Sequence, residues 1–335
     1  MTSACTARLK VSMKALVATA FGPIPQMQLL ERPRPEPRAG HTLVKMHAAT
    51  VNPLSSQVRS GQVAQARAPL VLSNDGAGTV EQSGRFEPGT RVAIDGGAQL
   101  GITEDGLQQQ WALVEDKRII ELPEGLDLDA GAALPINYVT AYQALTRVGQ
   151  VVPGQTLLIS GASGAVGHAL IQLSLALGAI PIAVVSTARK AEHARRSGAR
   201  SVIDLSSQDL RSATLAATQG QGADLAFDPV GGALLGTLLS AVRTRGAVVS
   251  IGFVGGTAAS IDVADVVIHE KRVLGYDAWL ETDADVASAL TALRGFIARG
   301  LLQPVIDSAF PLPEFDAAYQ RLASRQAVGT ILLHL

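Results

Sequence analysis

Gly161, Gly164 and Gly167 stand three apart in "LLISGASGAVGHALIQLSLALGA", between two apolar runs. Thr156 to Ser160, just before them, reads as a short buried strand. After them Val166, Ala169, Leu170, Leu173, Ala176 and Leu177 recur at helical spacing, and Gly178 closes the helix. In a strand, turn and helix of this kind, backbone N–H groups at the helix N-terminus face a bound phosphate. A glycine triplet alone is equally an ordinary strand-to-helix turn. The continuation decides between the two, because Ile180 to Thr187 reads as a second buried strand. That context makes Gly161, Ala162, Ser163, Gly164, Ala165, Val166 and Gly167 candidates for holding a dinucleotide pyrophosphate. The second strand ends in "VVSTARK", so Ser186 stands where NAD-specific folds carry a carboxylate for the ribose hydroxyls. No charge there repels a 2′-phosphate, and Arg189 and Lys190 follow within reach of one. The expectation is NADPH rather than NADH, although both basic residues could instead decorate a solvent-facing helix.

These residues need a rigid frame. "ARKAEHARRSGA", "QDLRSATLAATQG" and "ALLGTLLSAVRTRG" read as helices, alternating with the strands "RSVIDL", "ADLAFDPVG" and "AVVSIGFVGG". Such alternation predicts α/β architecture, a doubly wound parallel sheet covered by helices on both faces. The chain before residue 130 has another texture, with strands in "TLVKMHAATV", "GAGTVEQSG", "TRVAI" and "GLQQQWALV", and a surface loop in "RPRPEPRAG". "MKALVATAFG" reads as an edge strand opening this β-rich domain. Tyr138 to Arg147 reads as a helix linking the two domains, and the tail as a helix and a final strand. Residues 1–12 read as an extension upstream of Met13.

Composition narrows the function. With 335 residues and 47% apolar content, two domains can each bury a core. Aromatics at 4% and a net charge of −1 give no footprint for nucleic acid. The longest apolar stretch, Ala169 to Val185, is broken by Gln172, Gly178 and Pro181, so no membrane span is expected and a cytoplasmic protein is. The one cysteine, Cys5, cannot build a metal lobe, and His41, His47, His193, His269 and His334 show no metal-ligand spacing. No metal is expected. His168 reads as a packing histidine, Trp111 and Trp279 as packing residues, and Asp228 as a loop cap.

Several further motifs follow one order: "VNPLSSQVRSG", "GAGTVEQSG", "FEPGTRV", "ALPINYVTAYQAL", "GASGAVG", "FDPVGG" and "RGAVVSIGFVGG". In these the chain resembles the medium-chain dehydrogenase/reductase superfamily, in its zinc-free quinone oxidoreductase (zeta-crystallin-like) branch. The resemblance implies a GroES-like substrate domain over 13–134, a Rossmann domain binding NADPH over 135–303, and a tail, 304–335, returning to the former. It implies that Gly252, Phe253 and Val254 also line the cofactor, and that "KRVLGYDA" pairs with its copy in a homodimer. Zinc-dependent relatives use a cysteine at the position of Asn52 and a "GHE" element where this chain has Ser73-Asn74-Asp75. From the residues alone Asn52 is an Asn-Pro turn. The resemblance instead places its amide near the nicotinamide, with Thr140 as a second donor or merely a helix-capping hydroxyl. Lys190 matches a phosphate-binding lysine of the branch, whereas Arg189 matches none. Gln57 replaces the branch's usual tyrosine, and Leu205 a tyrosine beside the adenine. The implied activity is NADPH-dependent hydride transfer to a quinone or an α,β-unsaturated carbonyl. The alternatives are an enoyl-thioester reductase and a low-turnover NADPH-binding protein.

Overall fold

The computed structural model describes residues 12–335. Cys5 and the expected extension, apart from Ser12, lie outside the described residues. The chain divides into two compact units. Unit 1 takes the residues up to Ala132 with Ala309–Gln320 and Leu332–Leu335; unit 2 takes Ala133–Ser308 and Arg321–Ile331.

Unit 1 is built on short strands. They are β1 (Ser12–Ala20), β2 (Gln26–Pro33), β3 (His41–Val51), then helix α1 (Pro53–Arg59), β4 (Leu70–Val71) and β5 (Asp75–Gln82). β6 (Arg91–Asp95), β7 (Trp111–Glu115), β8 (Ile119–Glu121) and helix α2 (Leu128–Ala133) follow. β3 pairs antiparallel with β5 and with β7, and β5 with β6. Val44, Met46, Val80, Val92, Ile94 and Val114 from these strands form one buried cluster. Near the middle of β3 the register against β5 shifts between Met46 and Ala48, leaving His47 as the extra residue of a bulge. β1 is not an edge strand as its sequence suggested. It sits between β2 and β4, because "QMQLLERP", too polar to read as a strand, pairs along its whole length. Of "GLQQQWALV" only the last residues enter β7, since Gln108 turns aside to pair with Leu72 and Leu16.

Unit 2 opens with α3 (Pro135–Gln143), which runs on into a π-helical turn over Ala144–Val148. Then come β9 (Thr156–Ile159), α4 (Ala165–Ala176), β10 (Ile180–Val185), α5 (Ala188–Arg196), β11 (Ser201–Asp204) and α6 (Leu210–Ala217). β12 (Ala223–Asp228), α7 (Leu234–Ala241), β13 (Val242–Ser250), α8 (Val263–Ile268), β14 (Arg272–Gly275) and α9 (Asp283–Ala298) complete the alternation. The strand order is β11-β10-β9-β12-β13-β14, with all five pairings parallel. The order reverses beside β9, and in such sheets ligands bind at that switch point, beyond the carboxyl ends of the strands. Leu158, Ile182, Val184, Ile203 and Val248 on the sheet pack with Leu210, Leu238 and Leu239 from α6 and α7. The helix read through "ALLGTLLSAVRTRG" ends at Ala241, where β-branched Val242 pairs with Ala223 and starts β13.

The tail holds β15 (Ile306–Pro311), α10 (Phe315–Ala323) and β16 (Thr330–His334). It does not return to unit 1 in one piece. Arg321–Ile331 groups with unit 2, where Gly329 N–H donates to the Ser163 carbonyl and Arg321 forks onto the buried Asp307 carboxylate. Among the described residues no helix is long and apolar enough to cross a membrane.

Candidate active site

The glycine turn joins β9 to α4. Gly161 has φ +56°, a left-handed conformation that favours glycine. A Cβ on Gly167 would stand 2.2 Å from the Gly161 carbonyl oxygen, so that glycine is required by packing alone. Gly164 differs. It has an ordinary φ of −82° as the N-cap of α4, and a Cβ there would meet only the Gly161 oxygen, at 3.3 Å. It offers no side-chain cap to the first-turn N–H groups. The 3.3 Å contact is tight but the mildest of the three glycines' contacts, and the turn leads into a helix N-terminus with no side-chain cap, which fits a dinucleotide pyrophosphate. Ala162 and Ser163 are buried in the turn, whereas Ala165 and Val166 are partly exposed. Asp228, at the end of β12, caps the neighbouring loop as expected. Its Oδ1 accepts from Ser160 Oγ and from the N–H groups of Val230 and Gly231.

Ser186 and Arg189 are exposed just beyond β10. Lys190 is half-buried in the first turn of α5, and its Nζ donates to the Arg325 carbonyl at 3.0 Å. Burial lowers its ammonium below the ordinary lysine value. Arg325 in turn donates from Nη2 to the Val254 carbonyl at 3.0 Å. The fold so gathers Lys190, Arg325 and the segment carrying the exposed Phe253 and Val254, while Gly252 N–H is tied to the Asp228 carbonyl. Arg325 escaped sequence reasoning because it lies 135 positions beyond Lys190, with no motif around it.

In unit 1, Asn52 is the N-cap of α1. Its Oδ1 accepts from Ser55 N–H at 2.9 Å and from Ser55 Oγ at 3.1 Å. Its Nδ2 donates to Asn74 Oδ1 at 3.1 Å, Thr50 Oγ1 at 3.2 Å and Asp75 Oδ1 at 3.4 Å. Thr50 Oγ1 also donates to Asp75. Asn52 is thus a helix cap whose amide sits in a polar network. Gln57 is half-buried on the same short helix.

In unit 2, Thr140 lies inside α3 rather than at its cap, which removes the capping alternative. Its hydroxyl bonds the phenol of Tyr276, which donates to Glu281 Oε1 at 2.7 Å. Burial, then the Glu281 charge, pushes the Tyr276 phenol far above the ordinary tyrosine value, so it stays a neutral donor. His168 is a packing residue as read, held by Ser197 Oγ and, at 2.8 Å, the Gln303 carbonyl. Burial holds its imidazole below the ordinary histidine value. Trp279 is partly exposed rather than a core residue.

Two family models match the chain: the alcohol dehydrogenase GroES-like domain over residues 38–124 and the zinc-binding dehydrogenase over 165–293. A solved alcohol dehydrogenase superfamily protein from Novosphingobium aromaticivorans is 30% identical at a TM-score of 0.86, covering 96% of this chain and 99% of its own. The chain belongs to the medium-chain dehydrogenase/reductase superfamily. Within it, a quinone oxidoreductase from Pseudomonas aeruginosa is 28% identical, over 96% of this chain and 99% of its own. A 2-haloacrylate reductase from a Burkholderia species is 29% identical, over 89% and 91% respectively. A mycobacterial protein solved in complex with NADPH is 25% identical at a TM-score of 0.85, over 97% of this chain and all of its own. In this chain the fold brings Asn52, Asn74 and Asp75 together as amide and carboxylate groups bonded to one another, joined by the Thr50 hydroxyl.

Proposed function

We propose that this protein is an NADPH-dependent, zinc-independent oxidoreductase that transfers hydride to a quinone or to an alkene conjugated with a carbonyl group. The observation that supports this reading is the Asn52–Asn74–Asp75 network of mutual hydrogen bonds, at positions where the resemblance implies metal ligands in zinc-dependent relatives. The names of the relatives support it, since 2-haloacrylate is itself an activated alkene.

The glycine turn is the proposed pyrophosphate cradle, with Ser186, Arg189 and Lys190 proposed for a 2′-phosphate; when bound, the cofactor supplies the hydride. The chain then has to hold the acceptor and stabilise the oxygen that becomes negative. Holding reactants in near-attack geometry contributes about 7–11 kcal/mol at best. Preorganised donors facing the developing charge add to this. Asn52 Nδ2 is the donor proposed here, whereas the one hydroxyl hydrogen of Thr140 is already given to the Tyr276 phenol. The two amide hydrogens of Asn52 are shared among three acceptors, and its 3.4 Å contact to Asp75 is the one a substrate oxygen displaces at least cost. Water supplies the final proton. With Gln57 in place of a tyrosine, a flat quinone loses a stacking partner, which leaves enones level with quinones as substrates. We read the active species as a cytoplasmic homodimer.

The test is steady-state oxidation of NADPH and NADH against quinones, enals and enoyl thioesters, with wild type and Lys190→Ala. Charge-assisted contacts contribute about 1.5–3 kcal/mol each, so a ten- to hundredfold preference for NADPH is expected. Lys190→Ala should reduce it while leaving NADH kinetics intact. Equal efficiency with both cofactors in the wild type overturns the cofactor assignment. Turnover confined to enoyl thioesters moves the substrate class, and tight cofactor binding without turnover makes the protein a binding module.

A further inference from the structure

We propose that His47, Asp129 and His334 form a site for a divalent transition cation, zinc foremost, which pins the end of the last strand to β3 and α2. The three side chains come from β3, the first turn of α2 and the end of β16, and one donor atom from each lies within 4.8 Å of the others. His47 Nε2 and His334 Nε2 each stand 2.9 Å from the same atom, Asp129 Oδ1. The two imidazole centroids are 5.0 Å apart, with the rings tilted by 46°.

The backbone beneath each ligand is fixed. β16 neighbours β3 in the sheet, and the Leu335 N–H donates to the His47 carbonyl at 3.0 Å. Asp129 rides on α2, which packs so closely that a Cβ on Gly131 would stand 2.4 Å from Leu122. His47 is the bulge residue of β3, and a bulge re-aims the side chain it carries.

The donor set selects the cation. Two imidazoles and one carboxylate suit zinc, nickel or copper, while magnesium and calcium take oxygen donors. Zinc–nitrogen bonds of about 2.0–2.1 Å place tetrahedral donors roughly 3.3 Å apart. The 2.9 Å separations found here reach that spacing with small side-chain rotations. The side chains are 43, 31 and 41% exposed, so a cation can enter and water can complete its shell. None of the three residues has a part in the proposed hydride transfer, and the cation's role is structural. Pairing of this kind stays hidden in the sequence, because the two histidines belong to opposite ends of the chain.

The full chain, stripped with a chelator and exchanged into metal-free buffer, is titrated with zinc chloride by calorimetry, with magnesium and calcium chloride in parallel. One zinc per chain with micromolar affinity is expected, with no uptake of the other two ions, and zinc should raise the melting temperature. His47→Gln, Asp129→Asn and His334→Gln should each weaken binding at least tenfold and abolish the melting shift. Cobalt(II), used on the wild type as a second probe, should show visible bands of nitrogen and oxygen ligation, which needs no variant to fold. Absence of zinc uptake up to millimolar concentration, absence of the cobalt bands, or binding undiminished in folded variants overturns the proposal. In those cases Asp129 is only a hydrogen-bond acceptor shared by two histidines.

Discussion

At the residue scale, the glycines of one turn separate into different jobs. Gly167 is a packing glycine, because a side chain there collides with the Gly161 carbonyl, and Gly161 answers to its positive φ. Gly164 has an ordinary φ, and a Cβ there would make only one tight contact, 3.3 Å from the Gly161 oxygen. The physical reason left for glycine there is the approach of an anion to the backbone. Gly164→Val should therefore leave a folded protein that melts close to wild type but binds NADPH at least tenfold more weakly. Gly167→Val should lose about 1–3 kcal/mol or more of stability through overpacking. Calorimetric melting and fluorescence titration with NADPH check both. A Gly164→Val protein with undiminished affinity would move the cofactor elsewhere. The Thr140 result makes a related point: its position on a helix was legible, but its partner, Tyr276, came from beyond the sixth strand of unit 2.

At the element scale, β14 forms one edge of the parallel sheet in unit 2, with Val273 47% exposed. Around that edge Val267, Ile268 and Leu280 are 70–74% exposed. An unpaired apolar edge invites pairing with another chain, and a two-fold pairing of β14 with its copy closes it. Light scattering at micromolar concentration should give twice the chain mass of 34.7 kDa. Val273→Lys, which puts a charge on the edge, should shift the protein to monomer. A wild type that stays monomeric refutes the pairing. The elements least legible beforehand were β2 and α1. Neither carries an apolar stripe, and each forms because its neighbours complete its hydrogen bonds: β1 for the former, the Asn52 cap for the latter.

At the scale of the whole molecule, hydride transfer should be indifferent to metal removal. Chelator treatment followed by dialysis should leave NADPH-dependent turnover within the error of the untreated enzyme, with elemental analysis well below one metal per chain. Turnover that is lost with a stoichiometric metal and restored by adding it back would contradict a metal-free reaction. What the amino-acid sequence determined by itself was local or periodic. Strand, turn and helix around Gly161 to Gly167 declare themselves through spacing, and the absent carboxylate at Ser186 is visible in place. The alternation of buried runs, which sets the parallel sheet, is equally a matter of neighbours along the chain. What only the tertiary structure decided was which distant groups meet. Lys190 with Arg325, Asn52 with Asn74 and Asp75, and His47 with His334 and Asp129 are all joined by loops, sheet pairings and one bulge. Periodicity tells which face of an element is buried. Which groups face one another depends on register and crossover, and these are set by the packing of the elements together.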